Sequence, residues 1–206
     1  MSASAYGKGV TNMKMNLPNK LSIFRIILVP FFMLFIACPI GGESVSRVIA
    51  AAIFIIASLT DMIDGKIARK YNLITDFGKF IDPLADKFLV FGALITMLAR
   101  YTYLKGFVIV ATVVFFRELA VTSMRLLVSN SSGKVIAASW LGKVKTVSQI
   151  VSIVTILLEP VIFGKIPFFA DYHPLSYITM AVMTVMTLWS GIDYLKAYLP
   201  GIDSNN

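Results

Sequence analysis

Cysteine and histidine are all but missing from this chain. Cys38 is the single thiol and His173 the single imidazole. No internal disulfide can form, and the His and Cys sets that hold zinc are excluded. Charge is scarce as well. Only 15% of the 206 residues are Asp, Glu, Lys or Arg, against roughly a quarter in soluble domains. Apolar residues take their place, at 57% of the chain. They gather into six runs, at about 21–40, 45–63, 83–101, 105–127, 139–163 and 174–195, each close to the ~20 residues that carry a helix across a bilayer. None alternates as a barrel strand would, and a spanning backbone must close its own hydrogen bonds as helix or barrel. The expectation is an all-α, polytopic membrane protein with six transmembrane helices.

The connections are too short to hold a separate soluble domain. Residues 15–200 read as one six-helix membrane domain, preceded by a small, polar leader at 1–14 and followed by a short tail at 201–206. The basic residues set the orientation. With the N-terminus in the cytoplasm, fifteen of the nineteen Lys and Arg face inward, leaving Arg47, Arg100, Lys105 and Lys165 outside. The positive-inside rule then puts both termini in the cytoplasm. The net charge of +8 reads as this bias plus attraction to anionic headgroups, not as a nucleic-acid site, for which no soluble groove is available. His173 reads as an outer loop residue.

Acids are rarer still, eleven in all, yet five fall between Thr60 and Lys87: Asp61, Asp64, Asp76, Asp82 and Asp86. Asp61 and Asp64 are three apart at the inner end of the second span, and Asp82 and Asp86 are four apart at the start of the third, so each pair shares a helical face. Asp82 before Pro83 reads as a helix N-cap, and Asp76 as no more than a cap. About eighteen residues of loop would then join two antiparallel neighbours that aim four carboxylates at one another. Like charges held this close at a bilayer edge repel, and a cation must offset them. Hard oxygen donors favour Mg²⁺ or Mn²⁺, and four carboxylates can hold two ions for phosphoryl displacement. Gly65 and Ala68 would let a ligand approach the backbone, Gly78 is another place without a side chain, and Arg69 can grip a phosphate with two bonds.

Asp61, Asp64, Gly65, Ala68, Arg69, Gly78, Asp82 and Asp86 together resemble the signature of the CDP-alcohol phosphotransferases, D-x₂-D-G-x₂-A-R-x₈-G-x₃-D-x₃-D, with no departure. The resemblance implies that family's six-helix membrane fold and a site with two divalent metals, Mg²⁺ or Mn²⁺. Asp61, Asp64 and Asp82 would bind one ion, and Asp61, Asp82 and Asp86 the other. Asp86 would also be the general base. Gly65, Ala68, Arg69, Thr75 and Gly78 would meet the cytidine nucleotide, joined by Asn19 and Ser22 from "LPNKLSIFR" ahead of the first span. A homodimer is implied too.

The signature names the donor and leaves the acceptor open. A second unusual region, 115–149, holds Arg117, Arg125, Lys143 and Lys145 at the inner ends of spans four and five, with Glu118 placed to hold one of them. Arg117 and Arg125 are eight apart, so they can share a face. Such a basic group suits a phosphorylated acceptor as well as an anionic lipid. The R-E-x₅-M-R run and "AASWLGKVKT" resemble the bacterial phosphatidylglycerophosphate synthases, which implies CDP-diacylglycerol as donor and sn-glycerol 3-phosphate as acceptor. Two rivals stand beside this expectation. One is a sibling enzyme using inositol phosphate, serine or another alcohol. The other is a divalent-cation transporter, against which the near-absence of ionisable residues in the outer halves of the helices counts.

Overall fold

The computed structural model describes residues 16–71, 76–132 and 140–202. These hold six long helices and one short one: α1 (Leu17–Ala37), α2 (Glu43–Lys70), α3 (Asp76–Arg100), α4 (Phe107–Ser132), α5 (Trp140–Phe163), α6 (Pro167–Tyr172) and α7 (Pro174–Ile202). No strand occurs among the described residues. Five helices, α1, α2, α4, α5 and α7, are long and apolar enough to cross a membrane. The third expected span, α3, is not among them. Its apolar stretch is interrupted by charge, with Asp82, Asp86 and Lys87 at one end and Arg100 at the other.

That early start corrects the reading of the acidic stretch. Pro83 lies inside α3, so Asp82 is not an N-cap. The connection is residues 71–75, far shorter than eighteen residues. An internal proline forfeits one helical hydrogen bond, a loss that membrane helices tolerate when neighbours make it good. Nor do α2 and α3 lie flat against each other. α1 packs along both of them, and α2 packs in turn on α5.

The packing follows from stripes of buried residues. On α1, beyond Pro18 in the first turn, the buried positions are Asn19, Ser22, Arg25, Val29, Phe32 and Ile36, spaced three and four apart on one face. Their first half is polar and their second apolar. Phe32 meets Phe54 of α2 with ring centroids 5.6 Å apart, and Ala50, Ala57 and Ala93 keep the surrounding helices close. A second pair of stripes joins α5 to α7. Lys145, Gln149, Ser152, Ile156 and Glu159 face Tyr194, Ser190, Thr187, Met183, Met180 and Ser176, all buried. The helices run antiparallel.

The end of the bundle expected to face outward, called the outer end below, carries more ionisable groups than expected, and they are tied to one another. Glu159 of α5 caps α7: its carboxylate accepts from the backbone N–H of Leu175 at 2.8 Å and of Ser176 at 2.7 Å, and from the Ser176 hydroxyl. Pro174 opens α7 without an N–H to satisfy, and the carboxylate also complements the helix dipole. Arg47 pairs with Glu43 at 2.9 Å, lies over the Tyr101 ring and donates to the Tyr103 hydroxyl. Arg100 reaches the other Glu43 oxygen at 2.9 Å. His173 sits in the left-handed region at φ 45 as the C-cap of α6, its ring tilted against that of Tyr103 with centroids 4.4 Å apart. Cys38 is exposed and free.

Candidate active site

The polar half of the α1 stripe is what organises the acidic cluster. Ser22 donates to Asp82 Oδ1 of α3 at 2.5 Å and also bonds the Pro18 carbonyl one turn back. Arg25, with no exposed side-chain surface, pairs through Nη1 with Asp61 Oδ1 of α2 at 2.6 Å. One helix face thus bridges acids that lie 21 positions apart in the chain. Asn19, also buried, lies one turn before Ser22 on the same face. Of the residues expected at the nucleotide, Ser22 is therefore bonded to a carboxylate, and Gly78 is buried in the first turn of α3. Asp86 stands one turn beyond Asp82, partly exposed. Thr75 and the leader lie outside the described residues, as do the side chains of Asp64, Gly65, Ala68 and Arg69.

Among the described residues no three carboxylate, His or Cys side chains converge closely enough to hold an ion. The donor chemistry nevertheless fits a hard divalent cation. Asp61, Asp82 and Asp86 offer only oxygen. Asp82 and Asp86 share one face of α3, and the Arg25 and Ser22 contacts steady two of the three.

The second cluster forms where α4, α5 and α7 meet. Arg117 is buried and donates through Nη2 to Ser190 Oγ at 2.9 Å. Glu118 accepts from Lys145 and lies 3.6 Å from Arg117 Nη1. Two guanidinium groups approach the Tyr194 ring, with the Arg117 carbon 5.3 Å and the Arg125 carbon 5.9 Å from its centroid, a cation–π arrangement. Two glycines make room. A Cβ on Gly142 would stand 3.1 Å from the Tyr194 hydroxyl, and one on Gly191 would stand 3.2 Å from Arg117 Cγ. Arg125 is exposed at the rim, and so is Lys143, two residues from Lys145 and on another face of α5. The structure therefore gathers Arg117, Arg125 and Lys145, while Lys143 stands apart.

The two clusters feel each other. Lys145 interacts electrostatically with Asp86 and Lys87, and Lys87 with Arg125. Arg117 Nε is buried and has no hydrogen-bond partner among the described residues. A buried, unpartnered guanidinium donor is suited to an incoming phosphate.

By charge alone the sequence marks Arg25 only as one of the inward-facing positive residues. Its spacing from Asn19 and Ser22, three residues at each step, was the signal that places it on their face. Ser190 and Tyr194 were missed altogether. Uncharged and embedded in an apolar run, they carry no mark of their place beside Arg117.

Comparison with known proteins shows the family of the chain. The profile of the CDP-alcohol phosphatidyltransferase family matches residues 15–189. The CDP-diacylglycerol–glycerol-3-phosphate 3-phosphatidyltransferase of Bacillus subtilis (strain 168) is 39% identical over 200 residues, covering 93% of this chain and 99% of the relative. The protein of the same name from Escherichia coli (strain K12) is 36% identical over 186 residues, covering 90% and 96%. With its eight-position signature held on α2 and α3 and braced from α1, the chain belongs to the CDP-alcohol phosphatidyltransferase family.

Proposed function

We propose that the protein transfers the phosphatidyl group of CDP-diacylglycerol to sn-glycerol 3-phosphate, yielding phosphatidylglycerol phosphate and CMP. The observation that carries this reading is the buried Arg117–Glu118–Lys145 cluster, with its unpartnered Arg117 Nε, within electrostatic reach of Asp86. An acceptor that brings its own phosphate to a group of carboxylates needs a counter-charge there. A neutral alcohol does not. The names of the relatives point the same way.

In this reading the donor lies against the inner ends of α1, α2 and α3. Asn19, Ser22, Gly65, Ala68, Arg69, Thr75 and Gly78 meet the cytidine nucleotide. Asp61, Asp64, Asp82 and Asp86 hold two divalent ions, Mg²⁺ or Mn²⁺. These ions supply charge neutralisation along the pyrophosphate. Arg25 and Ser22 hold Asp61 and Asp82 in place before any ligand arrives, which spares that ordering during the reaction. Arg117, Arg125 and Lys145 take the acceptor phosphate, with Lys143 at the mouth. The acceptor's primary hydroxyl oxygen bonds to the phosphorus that carries diacylglycerol. The bond from that phosphorus to the bridging oxygen breaks, CMP leaves with that oxygen, and the hydroxyl proton passes to Asp86. The active site and both termini face the cytoplasm at the plasma membrane. The enzyme works as a homodimer, with residues 15–200 as its catalytic domain.

The test is CMP release by purified protein from CDP-diacylglycerol, with and without Mg²⁺, against a panel of acceptors. Release that needs both the metal and glycerol 3-phosphate supports the reading. Equal or greater release with inositol phosphate or serine overturns the choice of acceptor.

A further inference from the structure

Beneath the basic cluster lies a second polar layer that the phosphate reading leaves unused. Gln149 and Ser152 of α5 and Thr187 of α7 are almost wholly buried, at 1% exposure or less. Gln149 Nε2, Ser152 Oγ and Thr187 Oγ1 have no hydrogen-bond partner among the described residues. Lipid offers such groups nothing, and buried polar atoms without partners are rare enough to need a reason.

The register of α5 against α7 shows where they stand. At the inner end Gly142 lies against the Tyr194 hydroxyl. At the outer end Glu159 bonds the backbone of Leu175 and Ser176. Between these two levels the helices run antiparallel. Gln149 lies seven residues in from Gly142, and Thr187 seven residues in from Tyr194. At about 1.5 Å per residue both are roughly 10 Å in, at one level and on the two facing stripes. Gln149 is one turn below Lys145, and Thr187 is one turn below Ser190, the partner of Arg117. A side chain on a helix leans toward the helix N-terminus. For α5 that is the inner end, so the Gln149 amide leans back toward Lys145, while in the antiparallel α7 the Thr187 hydroxyl leans the other way and closes the layer from beneath.

We propose that Gln149 and Thr187 form the inner wall of the acceptor site and read the secondary hydroxyl of glycerol 3-phosphate. The proposal rests on the acceptor reading above and deepens it. With the phosphate on Arg117 and Lys145 and the primary hydroxyl directed to Asp86, the middle carbon of the three-carbon chain is left over the layer between. Its hydroxyl is both donor and acceptor, as is the Thr187 hydroxyl, and the Gln149 amide nitrogen donates to it. A site built to hydrogen-bond a hydroxyl discriminates against the analogue that lacks it, because its own buried groups then stay unpaired.

The test compares two acceptors, sn-glycerol 3-phosphate and 3-hydroxypropyl phosphate, which keeps the phosphate and the primary hydroxyl and lacks the secondary one. Wild-type protein should prefer glycerol 3-phosphate by roughly tenfold or more in kcat/KM. Gln149→Leu and Thr187→Val should each remove most of that preference by lowering kcat/KM for glycerol 3-phosphate alone. The KM for CDP-diacylglycerol should stay as it was. Equal use of both acceptors by the wild type overturns the proposal without any variant having to fold. A parallel loss on both acceptors in the variants also overturns it, since that is the mark of disturbed packing. Arg117→Ala serves as the control for the underlying reading and should weaken both acceptors alike. If it weakens neither, the phosphate assignment fails, and the acceptor preference of the wild type still decides the fate of the hydroxyl wall.

Discussion

The two ends of this helical bundle carry buried charge in opposite ways. At the outer end nearly every group is answered. Glu43 is shared between Arg47 and Arg100, Arg47 also engages Tyr101 and Tyr103, and the Glu159 carboxylate receives three donors from the start of α7. At the inner end the clusters are incomplete. Arg117 keeps an unpartnered Nε, Gln149 and Thr187 keep unpartnered polar atoms, and Asp61 and Asp86 remain partly exposed. A completed network holds helices together. An incomplete one, in the reading proposed above, leaves donors for a ligand. Buried charge by itself therefore does not distinguish a site from a clasp. The degree of satisfaction does.

Four experiments break or sharpen that contrast. The largest effect is expected from Asp86→Asn. It removes the proton acceptor while keeping shape, and should lower turnover by about 10²–10⁴-fold with CDP-diacylglycerol binding largely kept. Near-normal turnover at saturating Mg²⁺ removes Asp86 from its role. Next is Asp61→Ala, which takes away the acid paired with Arg25 and leaves a buried guanidinium without that carboxylate. Calorimetry should show metal-dependent CDP-diacylglycerol binding largely lost. Binding that still strengthens with Mg²⁺ as in the wild type contradicts the assignment.

Smaller effects test the basic cluster and the clasp. Arg125→Ala should raise the KM for glycerol 3-phosphate by roughly ten- to a hundredfold, the equivalent of one charge-assisted hydrogen bond, and leave that for CDP-diacylglycerol nearly unchanged. Arg125→Lys should recover only part, because the planar fork is gone. An equal change on both substrates points instead to lipid headgroups as the partner. Glu159→Gln, at the answered end, should move neither KM. It should cost about 1.5–3 kcal/mol of stability, read as a lower thermal midpoint in detergent. A change in acceptor KM would break the division between the two ends.

Much of this was legible before any coordinates. Long apolar runs announce helices because the bilayer permits little else, and the eight signature positions name a chemistry because their spacing is specific. Misreading came where local rules were overridden. Asp82-Pro83 looks like a helix start, yet α3 was already two turns long by then. The outer halves looked bare, yet Arg47 and Glu159 lie buried there, each paid for by partners from other helices. Contacts such as Arg25 with Asp61, or Ser190 with Arg117, join distant parts of the chain. Periodicity tells which face of a helix a residue occupies and says nothing about what that face meets.

The Arg25–Asp61 pair also bears on how the protein is made. α1 carries a fully buried guanidinium about 12 Å in from its first residue, at 1.5 Å per residue. While α1 is alone with the insertion machinery, that charge disfavours full entry into lipid by roughly 2.5–3.5 kcal/mol if it sits near mid-bilayer and by less toward the surface. Its carboxylate arrives only with the far end of α2. The first two helices are therefore expected to settle as a hairpin, with α1 held at the interface until Asp61 has been synthesised. On that expectation the Arg25–Asp61 pair would also bear on the timing of membrane integration.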